Sequence, residues 1–150
     1  MKTLQRLIAL LLPLITLACT TGSMPEKVLF YVGSSDGSLE RSIFLCELDY
    51  SSGQVSIVDS FPGSKASSYL ALSPDKDFLY AIDGTQSDPQ KKHASVASFR
   101  VTDQEGRLEM MNRQSCEGRG PCHISCHPDG SFIFVANYSE GNIAAYPLGK

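Results

Sequence analysis

Short apolar segments alternate with clusters of glycine, proline, aspartate and serine along most of the chain. Runs of four to eight residues between such clusters, rich in β-branched and aromatic side chains, are typical of strands. None of these runs shows the period of an amphipathic helix. The pattern predicts ten strands, near residues 27–33, 41–48, 54–61, 67–72, 77–83, 95–101, 107–114, 122–127, 131–137 and 142–148.

Two stretches of the chain resemble each other at an offset of 54 residues. "YLALSPDKDFLYAIDG" begins at Tyr69, and "HISCHPDGSFIFVANY" begins at His123. Each contains an apolar strand, a turn in which proline fixes one φ angle, and a second apolar strand. The segment that begins at Ser42 recurs at Ser95, which is 53 residues later. The repeating unit is therefore about 50 residues long and contains four short strands.

Two of the predicted strands are apolar on both faces. Residues 78–82 and 132–136 are all apolar or aromatic, whereas a strand with one face in water would alternate. Stacked blades of four antiparallel strands cover both faces, because each blade lies between two neighbours. We therefore predict an all-β fold in which residues 27–150 form part of a β-propeller. A β-sandwich is the alternative, but it does not account for the repeat.

The first residues form a different kind of sequence. Lys2 and Arg6 precede an uncharged apolar run over 7–17, which is the layout of an export signal. The run is shorter than the about 20 residues that a membrane-spanning helix needs. A buried core helix is the alternative, but the position behind two basic residues favours export.

The end of this apolar run, "ITLAC", resembles a bacterial lipobox. We expect residues 1–18 to be a signal peptide of the lipoprotein type, with Cys19 lipidated; plain secretion is the alternative. Residues 19–26 are polar and unpatterned, and we interpret them as a tether. The expected location is the periplasm or cell envelope, with membrane contact through the lipid anchor only.

Composition excludes some partners. Charged residues make up 19% of the 150 residues and apolar residues 42%, which is typical of a globular chain. The net charge is −3, and cleavage after residue 18 would remove Lys2 and Arg6, which leaves 11 basic and 16 acidic residues and a net charge of −5. The chain is thus mildly acidic, and we expect no nucleic-acid partner.

The segment "CHISCHPDG" at 122–130 places two cysteines and two histidines within six residues. Alternation along a strand puts Cys122 and Cys126 on one face and His123 and His127 on the other, so one tetrahedral zinc cannot gather all four. A site made of the two cysteines and an outside ligand such as Cys116 is the alternative. Attachment of a c-type haem needs C-x-x-C-H, and this spacing is one residue too long. We expect no metal and no cofactor here, with both cysteines buried and His127 in a turn.

Four cysteines remain if Cys19 is lipidated: Cys46, Cys116, Cys122 and Cys126. Their number is even and the predicted compartment permits disulfides, so a Cys116–Cys122 bridge stays open.

The stretch "GPCHISCHPDGSFIFVANYSEGNIAAYPL", residues 120–148, resembles the lactonase family of seven-bladed propellers, which includes 6-phosphogluconolactonases and carboxy-muconate cycloisomerases. "VLFYVGS" at Val28 is also similar to the first blade of that family. The resemblance implies seven blades, of which this chain would supply about two and a half. It also implies a histidine motif of the H-P-H type in a later blade. About 200 further residues would be needed to close the ring.

The function that this resemblance implies is hydrolysis of a sugar lactone such as 6-phosphogluconolactone. The partners would be a small lactone or sugar ligand, together with further C-terminal blades or another copy that covers the exposed blade faces. We expect residues 1–150 alone to be inactive. The alternative is a non-catalytic propeller of the cell envelope that binds a ligand or a protein.

Three residues are candidates for the site. His123 lies at a strand start and could act as the catalytic general base. Asn137 and Tyr138 end the next strand and could bind substrate through hydrogen bonds. Each also has a structural alternative: a hydrogen-bonded blade histidine for His123, and a turn role for Asn137 and its repeat counterpart Asp83.

Overall fold

The computed structural model describes residues 25–36, 40–88, 90 and 92–149. Its strands are β1 (Lys27–Gly33), β2 (Ile43–Asp49), β3 (Val55–Phe61), β4 (Leu70–Leu72), β5 (Phe78–Asp88), β6 (His93–Val101), β7 (Leu108–Ser115), β8 (Pro121–Cys126), β9 (Phe132–Asn137) and β10 (Asn142–Pro147). All ten predicted strands are present, and this part of the chain contains no helix, hence none that could cross a membrane. The predicted signal peptide and Cys19 lie outside the described residues.

The strands form three antiparallel sheets that follow one another along the chain. Sheet 1 contains β1 to β3, sheet 2 contains β4 to β7, and sheet 3 contains β8 to β10. Within each sheet, strands that are consecutive in sequence pair with each other. This stacking of meandering antiparallel sheets confirms the all-β, propeller-type fold predicted from the repeat.

The repeat extends to irregularities of the backbone. Where β2 pairs with β3, the register shifts so that Val58 has no partner residue. Where β6 pairs with β7, the same shift leaves Met111 without a partner. The two bulged residues are 53 positions apart, which is the offset found in the sequence. Sheets 1 and 2 are therefore copies of one structural unit.

Sheet 2 is covered on both faces. Leu79 and Ala81 of β5 pack with Ile43 and Leu45 of sheet 1 in one apolar cluster. The alternate residues of β5 pack with Ile133, Val135 and Ile124 of sheet 3 in a second cluster. This confirms that residues 78–82 need a layer on each side.

Within the described residues, sheet 3 is covered on one face. Ile133 and Val135 of β9 are buried against sheet 2, whereas Phe132 and Phe134 are exposed, with ring centroids 6.0 Å apart. None of the described residues forms a sheet on the side of these two rings. We predicted cover on both faces of residues 132–136, and the described residues provide it on one face.

Candidate functional site

The candidate residues meet at one edge of the sheets. We call this the upper edge: the edge at which β4 and β8 begin and β5 and β9 end. His123 lies near the start of β8, and Asn137 is the last residue of β9. Because strand pairing places Pro121 opposite Asn137, all three predicted site residues, His123, Asn137 and Tyr138, lie at this edge.

His123 is exposed and contacts its own counterpart in the repeat. Its ring centroid lies 4.5 Å from that of Tyr69, with the two ring planes tilted by 50°. Tyr69 directly precedes β4, and His123 lies near the start of β8. The two residues are 54 positions apart and therefore occupy equivalent positions in the repeat. Stacking of two blades therefore brings equivalent positions together at the upper edge. Sequence comparison of the repeats had paired these two residues, but it did not predict their contact.

A bulge sets the direction of the His123 side chain. The register of β8 against β9 shifts between Pro121 and His123, so Cys122 has no partner and His123 lies opposite Ala136. The regular alternation of side chains between the two faces, which we assumed for this strand, is interrupted at its first residues. Consequently Cys122 is exposed rather than buried, and the interpretation of Cys122 as a core residue is wrong.

The loop that carries Tyr69 is fixed by three buried serines. The Ser42 hydroxyl donates to the Ser64 carbonyl at 2.8 Å, and it lies 2.8 Å from the hydroxyl of Ser67. The Ser64 and Ser67 hydroxyls are 2.6 Å apart. All three side chains are buried, so their polar atoms satisfy one another away from water.

A buried carboxylate fixes the other end of the same loop. Asp83 is fully buried, and its Oδ1 accepts hydrogen bonds from the amides of Lys65 at 3.0 Å and Thr85 at 2.9 Å. The guanidinium of Arg113 forms an ion pair with Oδ2 of Asp83 and donates to the Gly63 carbonyl at 2.8 Å. Asp83 therefore has a structural role, although it lies within β5 rather than in a turn.

Asn137 is buried and largely committed to structure. Its amide nitrogen donates to the Cys116 carbonyl at 2.8 Å and to Oδ1 of Asn142 at 3.0 Å. Its Oδ1 has no hydrogen-bond partner among the described residues. Gly118 allows this packing, because a Cβ there would lie 2.6 Å from the Asn137 amide nitrogen. A substrate-binding role for Asn137 stays a prediction, and the structure buries its side chain, Oδ1 included.

Tyr138 and the neighbouring charges complete the edge. Tyr138 is 84% exposed, so its phenol can meet a ligand directly. Arg119 forms an ion pair with Glu140 at 2.6 Å, which lowers the pKa of the Glu140 carboxyl. Nδ1 of His93 lies 4.0 Å from Oε2 of Glu117. The Arg119 charge is thus balanced by a carboxylate beside the exposed tyrosine.

The four described cysteines are free thiols. Cys46 and Cys116 are buried, Cys126 is half-buried, and no disulfide joins Cys116 to Cys122. Burial raises the pKa of the Cys116 thiol to about 12, so that it stays protonated at neutral pH. In the described part of the chain, no three His, Cys, Asp or Glu side chains are grouped to bind a metal ion.

His127 lies at the opposite edge of sheet 3, in the turn between β8 and β9. Its Nδ1 is 2.6 Å from Oδ1 of Asp129, and its carbonyl accepts from the Gly130 amide at 2.9 Å. The turn role predicted for His127 is therefore confirmed, and the two histidines of "CHISCHPDG" lie at opposite edges of one sheet.

Comparison with known proteins gives consistent matches over these sheets. The family model described as "Lactonase, 7-bladed beta-propeller" matches residues 29–150. The 6-phosphogluconolactonase of Formosa agariphila is 29% identical over 121 residues, covering 80% of this chain and 33% of that protein. The 6-phosphogluconolactonase of Bacillus subtilis is 27% identical over 81% of this chain and 34% of its own length.

A solved structure shows the same arrangement of sheets. The periplasmic gluconolactonase of Pseudomonas aeruginosa superposes with a TM-score of 0.70 at 25% identity, covering 82% of this chain and 35% of that one. The chain thus spans about a third of the length of the relatives that it matches.

Proposed function

Because the chain belongs to the lactonase family of seven-bladed β-propellers, we propose that the whole protein hydrolyses a sugar lactone. The single observation that carries a role for this chain is the exposed imidazole of His123 at the upper edge, held against Tyr69. The relatives named 6-phosphogluconolactonase and gluconolactonase support the substrate class.

The proposed reaction needs a base, a water molecule and a hydrogen-bond donor. The His123 imidazole takes a proton from water as the water oxygen bonds to the lactone carbonyl carbon. Negative charge develops on the carbonyl oxygen, and we propose that the phenol of Tyr138, which is exposed, donates a hydrogen bond to it. The bond from that carbon to the ring oxygen then breaks, and the ring oxygen receives the proton from the imidazolium. The product is an open-chain hydroxy acid.

The expected compartment favours an unphosphorylated substrate. We propose that residues 1–18 direct export and that Cys19 is lipidated, which would place the sheets in the periplasm or cell envelope. The structure of a periplasmic gluconolactonase with a similar fold supports export. Phosphorylated sugar lactones are intracellular metabolites, so gluconolactone is the better candidate at that location. Other blades or a second copy would cover the exposed faces of the outer sheets.

The test uses the whole protein encoded by the reading frame that contains this chain, produced in a secreted form without lipid. Hydrolysis of glucono-δ-lactone is followed by acid release at constant pH, with the uncatalysed rate subtracted. We expect H123N to lower kcat by about 10²- to 10⁴-fold, which is the usual contribution of a general base. The matched control is H127N, a turn histidine at the opposite edge, which should retain activity.

Two results would contradict the proposal in different ways. Full activity of H123N would remove His123 from the mechanism while leaving the lactonase activity in place. No acceleration by the wild-type protein, with either gluconolactone or its 6-phosphate, would favour the alternative, a non-catalytic envelope propeller that binds a ligand or protein.

A further inference from the structure

We propose that Tyr69 is a positioning residue for His123, an inference that rests on the proposed function. The two rings lie 4.5 Å apart, and a tilt of 50° is within the range of favourable aromatic contacts. They belong to different sheets, one preceding β4 and one in β8. Tyr69 would thus align a catalytic base across a blade boundary without contacting the reacting atoms.

The His123 ring has few other restraints. A functional histidine is usually oriented by a carboxylate or a carbonyl that accepts a hydrogen bond from one ring nitrogen. The described residues give the His123 imidazole no such hydrogen bond. The side chain is exposed at the beginning of a strand, beside a bulge. The Tyr69 ring is therefore the contact that we propose selects the orientation of His123.

Tyr69 itself is held firmly. Its carbonyl accepts a hydrogen bond from the Ile82 amide at 3.0 Å, which ties it to β5. The preceding loop is fixed by the buried contacts of Ser64 and Ser67 and by the Asp83 carboxylate on the Lys65 amide. These groups hold the backbone on both sides of the loop, so the ring has a defined base from which to support His123.

The chemical consequence is orientation of the proton acceptor. A general base works only when its nitrogen lies within hydrogen-bond reach of the attacking water, and a displacement of about 1 Å can cost 10²-fold in rate. Loss of the Tyr69 ring leaves His123 free to rotate. The effect should therefore be on kcat, with little change in KM, since Tyr69 is not required to bind the lactone.

The kinetic test compares three variants in the complete protein with glucono-δ-lactone. Y69F keeps the ring and should stay within about 2-fold of the wild-type kcat. Y69L removes the ring and should lower kcat by about 10- to 100-fold, by loss of orientation. The control is Y50L, because Tyr50 is also exposed but lies in the turn at the other edge, where kcat should not change.

A second readout does not depend on activity. In a proton NMR spectrum the His123 ring signals are identified by their absence from H123N. The ring current of Tyr69 shifts these signals, so Y69L should move them towards the position of a free histidine while Y69F leaves them in place. Tyr69 is 37% exposed, and its replacement should therefore be tolerated; Y69Q is a second ring-free variant should Y69L fold poorly.

The outcomes separate this inference from the proposed function. If H123N is inactive but Y69L and Y69Q keep the wild-type kcat and His123 signals, the positioning role is overturned and lactone hydrolysis by His123 stands. If H123N is fully active, His123 is not the base and the positioning role falls with it. Loss of kcat and displaced His123 signals in the ring-free variants, with both retained in Y69F, support the proposal.

Discussion

At the scale of single residues, the buried carboxylate of Asp83 depends on specific hydrogen-bond and ion-pair partners. The sequence placed Asp83 and Asn137 at equivalent positions 54 residues apart, and both prove to be buried at the upper edge. Their partners could not be predicted, because Arg113 reaches Asp83 from a strand whose facing depends on the bulge at Met111. The same limit applied to Cys122, whose exposure follows from a bulge that alternation alone does not reveal.

Replacement of Asp83 should reduce stability according to what the substitute can still accept. D83A removes the acceptor of two amides and the ion-pair partner of Arg113, whose partly exposed guanidinium still donates to the Gly63 carbonyl, and we expect a loss of about 2–4 kcal/mol in the free energy of unfolding. D83N keeps an acceptor for the Lys65 and Thr85 amides and should lose about 1–3 kcal/mol. Urea unfolding with an unchanged m-value measures both.

The matched control for Asp83 is the exposed pair of Arg107 with Glu105, whose side chains are largely in water. E105A should change the free energy of unfolding by about 0–1 kcal/mol, as is usual for exposed ion pairs. Equal effects of D83A and E105A would show that the Asp83 carboxylate does not fix the loop.

At the scale of elements, the apolar runs predicted every strand but not every boundary. β4 begins at Leu70 rather than near residue 67, because the residues before it are used in the serine contacts of the loop. β5 continues to Asp88 because its polar end pairs with β6 after a register shift. The predicted strand ended at residue 83, before this polar segment, and backbone pairing, which does not depend on side-chain polarity, extends it.

The turns between strands carry aspartates that make the fold sensitive to acid. Hydrogen bonds from the hydroxyl and amide of Ser131, with a smaller contribution from His127, lower the pKa of Asp129 to about 2. In the β2–β3 turn, the Ser51 hydroxyl and the Ser52 amide lower the pKa of Asp49 to about 2. A carboxyl with a lowered pKa stabilises the folded state when it is ionised.

The predicted pH dependence follows from that sign. The stabilisation is complete above the unfolded pKa of about 3.9 and is lost as the pH falls from there through the folded pKa of about 2. D49N and D129N should therefore flatten the decline of Tm over this interval, and S131A should flatten it by removing a donor to Asp129. Thermal unfolding by circular dichroism from pH 7 to pH 2 measures this; curves parallel to that of the wild type would contradict it.

At the scale of the whole molecule, the repeat predicts which surfaces need a neighbour. Phe78 and Tyr80 of β5 pack in the cluster between sheets 2 and 3. Their counterparts 54 residues later, Phe132 and Phe134, are exposed on the far face of sheet 3, next to Ile143 of β10. The outer face of sheet 3 is thus built like a face that another sheet covers, and its apolar side chains favour association.

Residues 25–150, expressed as such, should therefore self-associate. The exposed apolar face of sheet 3 would be buried between copies, because no other described residues cover it and burial gains about 25 cal/mol per Å² of apolar surface. Size-exclusion chromatography with light scattering should give a mass above that of a monomer. The double variant F134S/I143K should shift the population towards monomer, since it places a polar and a charged group on this face, whereas Y50S in a turn should not. A cooperative, concentration-independent monomer would contradict this expectation, because it would show that sheet 3 is stable with its outer face in water and that equivalent faces of the repeat do not need equivalent cover.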